Sequence, residues 1–201
     1  MRVVETKIYT FEELAEDSKQ TAIDNHRDVN TYDGWWEPIF EGITEEAEAK
    51  GFHVGNIYFS GFWSQGDGAM FEYTTVGDIL LNKFVDQLDL SPLRKSWLRS
   101  QTFAQGRGDH SGHYYHENCC SHVIDFEPNF GWASAINVSN WIEGFADQYE
   151  EFVIAEYKSL CRELYGRLDT YNDELSTDEA VADTLRNNDW WEFNEDGNNF
   201  Q

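Results

Sequence analysis

The chain is short of positive charge, of cysteine and of any long apolar run. Only 14 Lys and Arg stand against 38 Asp and Glu in 201 residues, giving a formal charge of -24 and a pI near 4.3. Nucleic-acid phosphates and anionic membranes are bound through Lys and Arg with release of counterions. So acidic a chain is expected to make no direct contact with nucleic acid or membrane. Three cysteines (Cys119, Cys120, Cys161) are an odd count with two adjacent, which argues against a disulfide framework and for a reducing compartment. No apolar run approaches the roughly 20 residues that span a bilayer. The opening Met1-Arg2-Val3-Val4-Glu5 lacks the apolar stretch of a secretory signal. The expectation is a soluble protein of the cytoplasm.

Aromatic residues are plentiful, with 8 Trp, 10 Tyr and 14 Phe. That is ample core material and excludes disorder for most of the chain. No linker, repeat or low-complexity tract breaks the sequence, so a single α+β domain over residues 1–201 is expected. It combines a small, mostly antiparallel sheet with five or six helices.

Alternation predicts strands over Arg2–Tyr9, Phe52–Phe59, Ala69–Thr74 and Cys119–Glu127, the last with Cys120, His122, Ile124 and Phe126 on one face. Thr10 and Glu13 form a capping-box signature, predicting a helix to about Arg27. Further helices are predicted over Trp35–Lys50, Val76–Leu88, Pro92–Ala104 with Ser91 as cap, Ser139–Thr170, and from a Ser176/Glu179 box to Arg186. Gln105–His116 and Pro128–Asn137 read as connections, and Trp190–Phe193 as a strand entering a turn at Asn194–Gly197.

Acid is concentrated in two stretches. Glu143–Asp196 carries 16 acidic against four basic residues, and Phe11–Lys50 carries 12 against three. On amphipathic helices these charges face outward. Either they are an ordinary solvated surface, or they match a basic groove on a nucleic-acid-binding protein and speed association with it. On the second reading, Glu143, Asp147, Glu150, Glu151, Asp173, Glu174, Asp178, Glu179 and Asp183 are the partner-binding candidates.

Two segments could carry chemistry. Ser60–Phe71 reads SGFWSQGDGAMF. Its glycines allow unusual backbone, and Trp63 beside Ser60, Ser64, Gln65 and Asp67 suits a flat heterocycle. The plainer alternative is a bulged hairpin with Trp63 in the core. The other segment holds four of the six histidines between residues 110 and 122. His110 or His116 with Asp67 or Glu117 could move protons near neutrality, and Tyr115 could help bind a ligand. His110, His113, His116 and Cys119 recur at every third residue. They are the candidate zinc ligands, although on a strand that interval alternates faces. Otherwise the tract is a hydrogen-bonded part of the sheet. No phosphate loop, dinucleotide fingerprint, nucleophile elbow or calcium loop occurs, and no cofactor is expected.

Five pieces together resemble a family of phage and prophage proteins, some labelled antitoxin-like. They are Tyr9–Leu14, Trp35-Trp36-Glu37, Ile57–Ala69 (IYFSGFWSQGDGA), His110–His116 (HSGHYYH) and Asn188–Gly197 (NDWWEFNEDG). Met70 and the paired Trp190-Trp191 depart from that pattern, which expects a small residue and a smaller or single aromatic. The resemblance implies a phage origin and a shared polar site, but no reaction. With the charge, it leads to a non-enzymatic inhibitor of a host defence or nucleic-acid-processing protein, acting in the cytoplasm of the bacterial host. The alternative is a nucleotide-binding or nucleic-acid-processing enzyme built on the two motif segments.

Overall fold

A computed structural model describes residues 7–129 and 135–200, apart from the side chains of 135–143. Among the described residues are six α-helices and one antiparallel sheet, an α+β fold. The sheet is a meander of β1 (Phe52–Phe59), β2 (Ala69–Thr75), β3 (Thr102–His110) and β4 (Cys120–Pro128), in that spatial order. The helices are α1 (Glu16–Asn25), α2 (Glu37–Lys50), α3 (Ile79–Gln87), α4 (Pro92–Gln101), α5 (Ala135–Leu175) and α6 (Asp178–Arg186). The chain divides into two compact units. One holds the described residues of Met1–Glu37 and Leu168–Gln201, and the other holds those of Pro38–Arg167.

In the larger unit the inner sheet face is built by strand alternation. Phe71 and Tyr73 of β2 lie on the face shared with Gly108, Cys120, His122 and Phe126. Tyr149, Val153, Tyr157, Leu160, Cys161 and Leu164 of α5 are buried at intervals of three and four, which places them on one stripe. The Tyr157 ring packs 5.0 Å from Phe71 and 5.1 Å from Tyr73, and its hydroxyl donates to the Phe71 carbonyl at 3.1 Å. Each such fully buried aromatic contributes roughly 1.5–3 kcal/mol of transfer free energy. The phenol costs little in addition, because its hydrogen bond is made. Phe84 of α3 meets Tyr149 at 5.4 Å and Phe126 at 6.3 Å, extending this core.

The smaller unit buries Phe11, Leu14, Ala22, Ile23, Val181, Leu185 and Phe193 together. Here the capping box forms: the Glu13 carboxylate accepts the Thr10 N–H at 2.9 Å and the Thr10 hydroxyl at 3.1 Å. It closes only one 3-10 turn, Phe11–Glu13, after which Leu14 turns extended at ψ 147 and α1 starts at Glu16. That break lets both Phe11 and Leu14 reach the core.

Other expectations need correction. The helix from Pro92 stops at Gln101, and most of the expected connection is β3. Ser91 occupies the cap position without a side-chain hydrogen bond. The cap of α6 is Thr177, whose hydroxyl accepts the Ala180 N–H at 3.3 Å, one residue beyond the expected Ser176. Trp190–Phe193 is no strand, and Phe193 instead makes single bridges to Tyr9 and Asn199. The expected Arg2–Tyr9 strand lies mostly outside the described residues, as does part of the 128–137 connection, while α5 already begins at Ala135.

Candidate functional site

β1 and β3 run in the same direction in the meander. The connection after each therefore leaves from the same end of the sheet, and the two motif segments meet there. One is the loop 60–68 and the other the loop 111–119.

The first loop is tied at its neck and across its bend. Ser60 N–H donates to the Gly68 carbonyl at 3.0 Å, and Gly68 N–H donates back to the Ser60 hydroxyl at 3.3 Å. One Asp67 carboxylate oxygen accepts the Trp63 N–H at 3.0 Å and the Ser64 N–H at 2.6 Å. Asp67 N–H then donates to the Ser64 carbonyl at 3.1 Å. Gly66 turns with φ +101, a conformation that side chains other than glycine rarely adopt. Ser64 and Gln65 are exposed at the tip. Trp63 is 84% exposed, which overturns the alternative that it fills the core.

The second loop is held by its own histidines. His110 Nε2 donates to the Tyr114 carbonyl at 3.3 Å. His116 Nδ1 accepts the Asn118 N–H at 3.2 Å, while its Nε2 lies 3.5 Å from the Cys119 sulfur. Tyr115 stacks on Tyr58 of β1 with centroids 5.3 Å apart and planes 8° from parallel, and His110 lies 5.2 Å from both rings. The loops dock closely: a Cβ on Gly68 would overlap His116, and one on Gly66 would come 3.3 Å from the Tyr114 ring. Tyr114 is 54% exposed beside it.

The acid–base pairing expected of these residues is not assembled. Among the described residues no hydrogen bond joins Asp67 or Glu117 to His110 or His116, and Asp67, His110 and His116 are engaged in holding the loops. Nor do the zinc candidates converge. His116 and Cys119 adjoin, but His110 turns to Tyr114, and exposed His113 packs 5.2 Å from the Tyr114 ring. Among the described residues no three His, Cys, Asp or Glu side chains are placed to hold a metal ion.

Beneath the loops lies a polar seam that the sequence did not signal. The Tyr73 hydroxyl and His122 Nδ1 share a hydrogen bond of 3.0 Å, and His122 Nε2 is buried with no partner. Burial, with a smaller contribution from the Lys158 charge, pushes His122 below the ordinary histidine range. Burial pushes the Cys120 thiol up to about 11. Two α5 residues tie down the loops: Lys158 donates to Asn118 Oδ1 at 2.8 Å and Tyr165 donates to the Gly61 carbonyl at 3.3 Å, with Arg162 between them along the helix. They stand 40 and 104 residues from the atoms they hold, so no local motif could announce them.

The acidic candidates are placed as expected, with two qualifications. Asp147, Glu150, Glu151, Asp173, Glu174, Asp178, Glu179 and Asp183 are all exposed, whereas the Glu143 side chain lies outside the described residues. Asp178 is paired with Arg27 and Asp183 with Arg186, so these two are partly neutralised. Among the described residues no helix is long and apolar enough to cross a membrane.

A family model described as a domain of unknown function (DUF8835) matches residues 35–178, a span that includes the sheet and both motif loops. No curated protein and no solved structure matches the chain.

Proposed function

The chain thus belongs to that family, whose function is unknown, and from this premise we propose an acidic, non-enzymatic protein that occupies the basic, nucleic-acid-binding surface of another protein. The observation that carries the reading is where the charge sits. The smaller unit has 19 acidic against five basic residues, a net of -14 in 71 residues. Three of its cations are each shared by two carboxylates: Lys19 by Glu12 and Glu16, Arg27 by Asp24 and Asp178, Arg186 by Glu12 and Asp183. Asp173, Glu174 and Glu179 stay exposed with no ion pair among the described residues. A field of this kind steers a cationic partner and favours encounter.

The same unit offers an anchor. Trp190 is 68% exposed and stacks on Trp191 with centroids 4.1 Å apart. An exposed indole flanked in sequence by Asp189 and Glu192 suits an arginine side chain, which gains cation–π attraction and charge pairing together. Most of α6, all of α1 and this closing turn fall outside the span matched to the family, so the reading concerns this chain rather than every member. The resemblance to phage proteins supports a bacterial host's defence or nucleic-acid-processing protein as the target, met in the host cytoplasm.

Capture from bacterial lysate tests the reading. A partner held at about 0.1 M salt should be released near 1 M, where the screening length falls to about 3 Å. Duplex DNA should compete for it. The triple variant Asp173→Asn, Glu174→Gln, Glu179→Gln should bind it about tenfold less tightly, or about 1.4 kcal/mol. A partner retained at high salt by both proteins and indifferent to DNA would sink the proposal.

A further inference from the structure

Arg162 differs from most arginines of this chain. Arg27, Arg99, Arg107, Arg167 and Arg186 each lie against a carboxylate. No described carboxylate pairs with Arg162, whose exposed guanidinium makes one hydrogen bond, from Nε to the Lys158 carbonyl at 3.1 Å. Lys158 has no carboxylate partner among the described residues either, and its ammonium donates to the Asn118 amide oxygen. In a chain of net charge -24, two neighbouring cations left without carboxylates mark a place where an anion can bind.

Their position is specific. At about 100° per residue, 158, 162 and 165 fall within one stripe of α5 roughly 60° wide. Lys158 holds the loop 111–119 and Tyr165 holds the loop 60–68. Along that stripe Arg162 falls between the residues that make those two ties, exposed and held to α5 by its own Nε. Trp63 and Tyr114 are the exposed rings of the same two loops. Their backbones are tied beforehand, Trp63 by the Asp67 carboxylate at its N–H and Tyr114 by His110 at its carbonyl, so less ordering is left for a ligand to impose.

We propose that the junction of these two loops binds a nucleoside monophosphate, with the base stacked on Trp63 and Tyr114 and the phosphate on Arg162, assisted by Lys158. A nucleobase stacks on an indole whatever its sequence identity. A guanidinium offers paired N–H donors in the geometry of phosphate oxygens. The same charges limit ligand size. The larger unit carries 19 acidic against nine basic residues, and Glu117 sits in the same loop as Asn118. Each added phosphate meets that repulsion, and a nucleic-acid strand needs a row of cations rather than the pair Lys158 and Arg162. The site uses the larger unit and is independent of the acidic surface proposed above.

Calorimetry on the full chain with AMP, GMP, CMP and UMP tests it at low salt. At least one should bind with a Kd on the order of 0.1 mM. The matching nucleoside, ribose 5-phosphate, the nucleoside triphosphate and a five-nucleotide single strand should each bind at least about tenfold more weakly. Arg162→Gln and Trp63→Leu alter exposed side chains, and circular dichroism and thermal melts check that both variants fold. Each should weaken binding about tenfold or more, and Arg162→Gln should also flatten its salt dependence. No heat with any monophosphate, binding indifferent to both substitutions, or tighter binding of the triphosphate or strand would each overturn the assignment.

Discussion

Asp67 holds Trp63 from four residues away, its carboxylate accepting the Trp63 backbone N–H at 3.0 Å, with the Ser64 N–H on the same oxygen. The aspartate of the Gly-rich motif is thus a clamp for the bend that presents the exposed indole. Hydrogen bonds to a charged acceptor are stronger than neutral ones, but solvent reaches this loop and replaces part of what is lost. Asp67→Ala should lower the free energy of unfolding by about 1–2 kcal/mol. Asp67→Asn keeps a carbonyl oxygen and should lose about half as much. Urea unfolding of the three proteins checks this, and an alanine variant as stable as the parent would show that the clamp contributes nothing.

Two glycines should answer alanine substitution in opposite directions. A Cβ on Gly68 would overlap the His116 Cβ and come 2.9 Å from its Cα, so backbone as well as side chain must move. Gly68→Ala should cost about 1–3 kcal/mol, the range for forcing atoms into a packed site. It should also part the two loops, and Trp63 fluorescence in a background lacking the other tryptophans would register the change. At Gly166, within α5, a Cβ meets nothing within 4 Å. Gly166→Ala should therefore stabilise by about 0.5–1 kcal/mol through helix propensity alone. Thermal melts of both variants decide the matter.

Legibility in the sequence followed the strength of the apolar pattern. β1 runs over the predicted Phe52–Phe59, and α2, within the predicted Trp35–Lys50, buries Ile43 and Ala47 one turn apart. β3 was illegible because its inward positions are Thr102, Ala104, Gly106 and Gly108, too small to give an alternating apolar signal. The missing bulk comes from elsewhere: a Cβ on Gly108 would overlap the Tyr73 ring and lie 2.7 Å from the Cys120 sulfur. Without β3 in place, nothing in the sequence brings the two motif loops to one end of the sheet. Thr10 and Glu13 show a different limit, since a capping box reports a local hydrogen-bond pair and says nothing of how far the helix continues. Arg162 lay hidden because its distinction is the carboxylate it lacks, which is a property of the fold.

Alkaline pH should weaken this fold through its thiols. Burial pushes Cys161 up to about 12 and Cys120 up to about 11, whereas both return to about 8.5 on unfolding. The folded state thus favours the neutral thiol. The contribution is fully present below about pH 8.5 and is lost as pH rises toward the folded values, with a limiting slope of about 1.4 kcal/mol per pH unit for each thiol. The buried phenols of Tyr73, Tyr149 and Tyr157 are also raised, but they ionise in the unfolded chain only near pH 10. The comparison therefore belongs between about pH 7 and 9.5. The parent should lose stability across that window under reducing conditions. Cys120→Ala with Cys161→Ala should start lower because of the cavities left and then stay nearly flat. Equal slopes for the two proteins would mean that the thiols are ionised as readily in the folded chain as in the unfolded one.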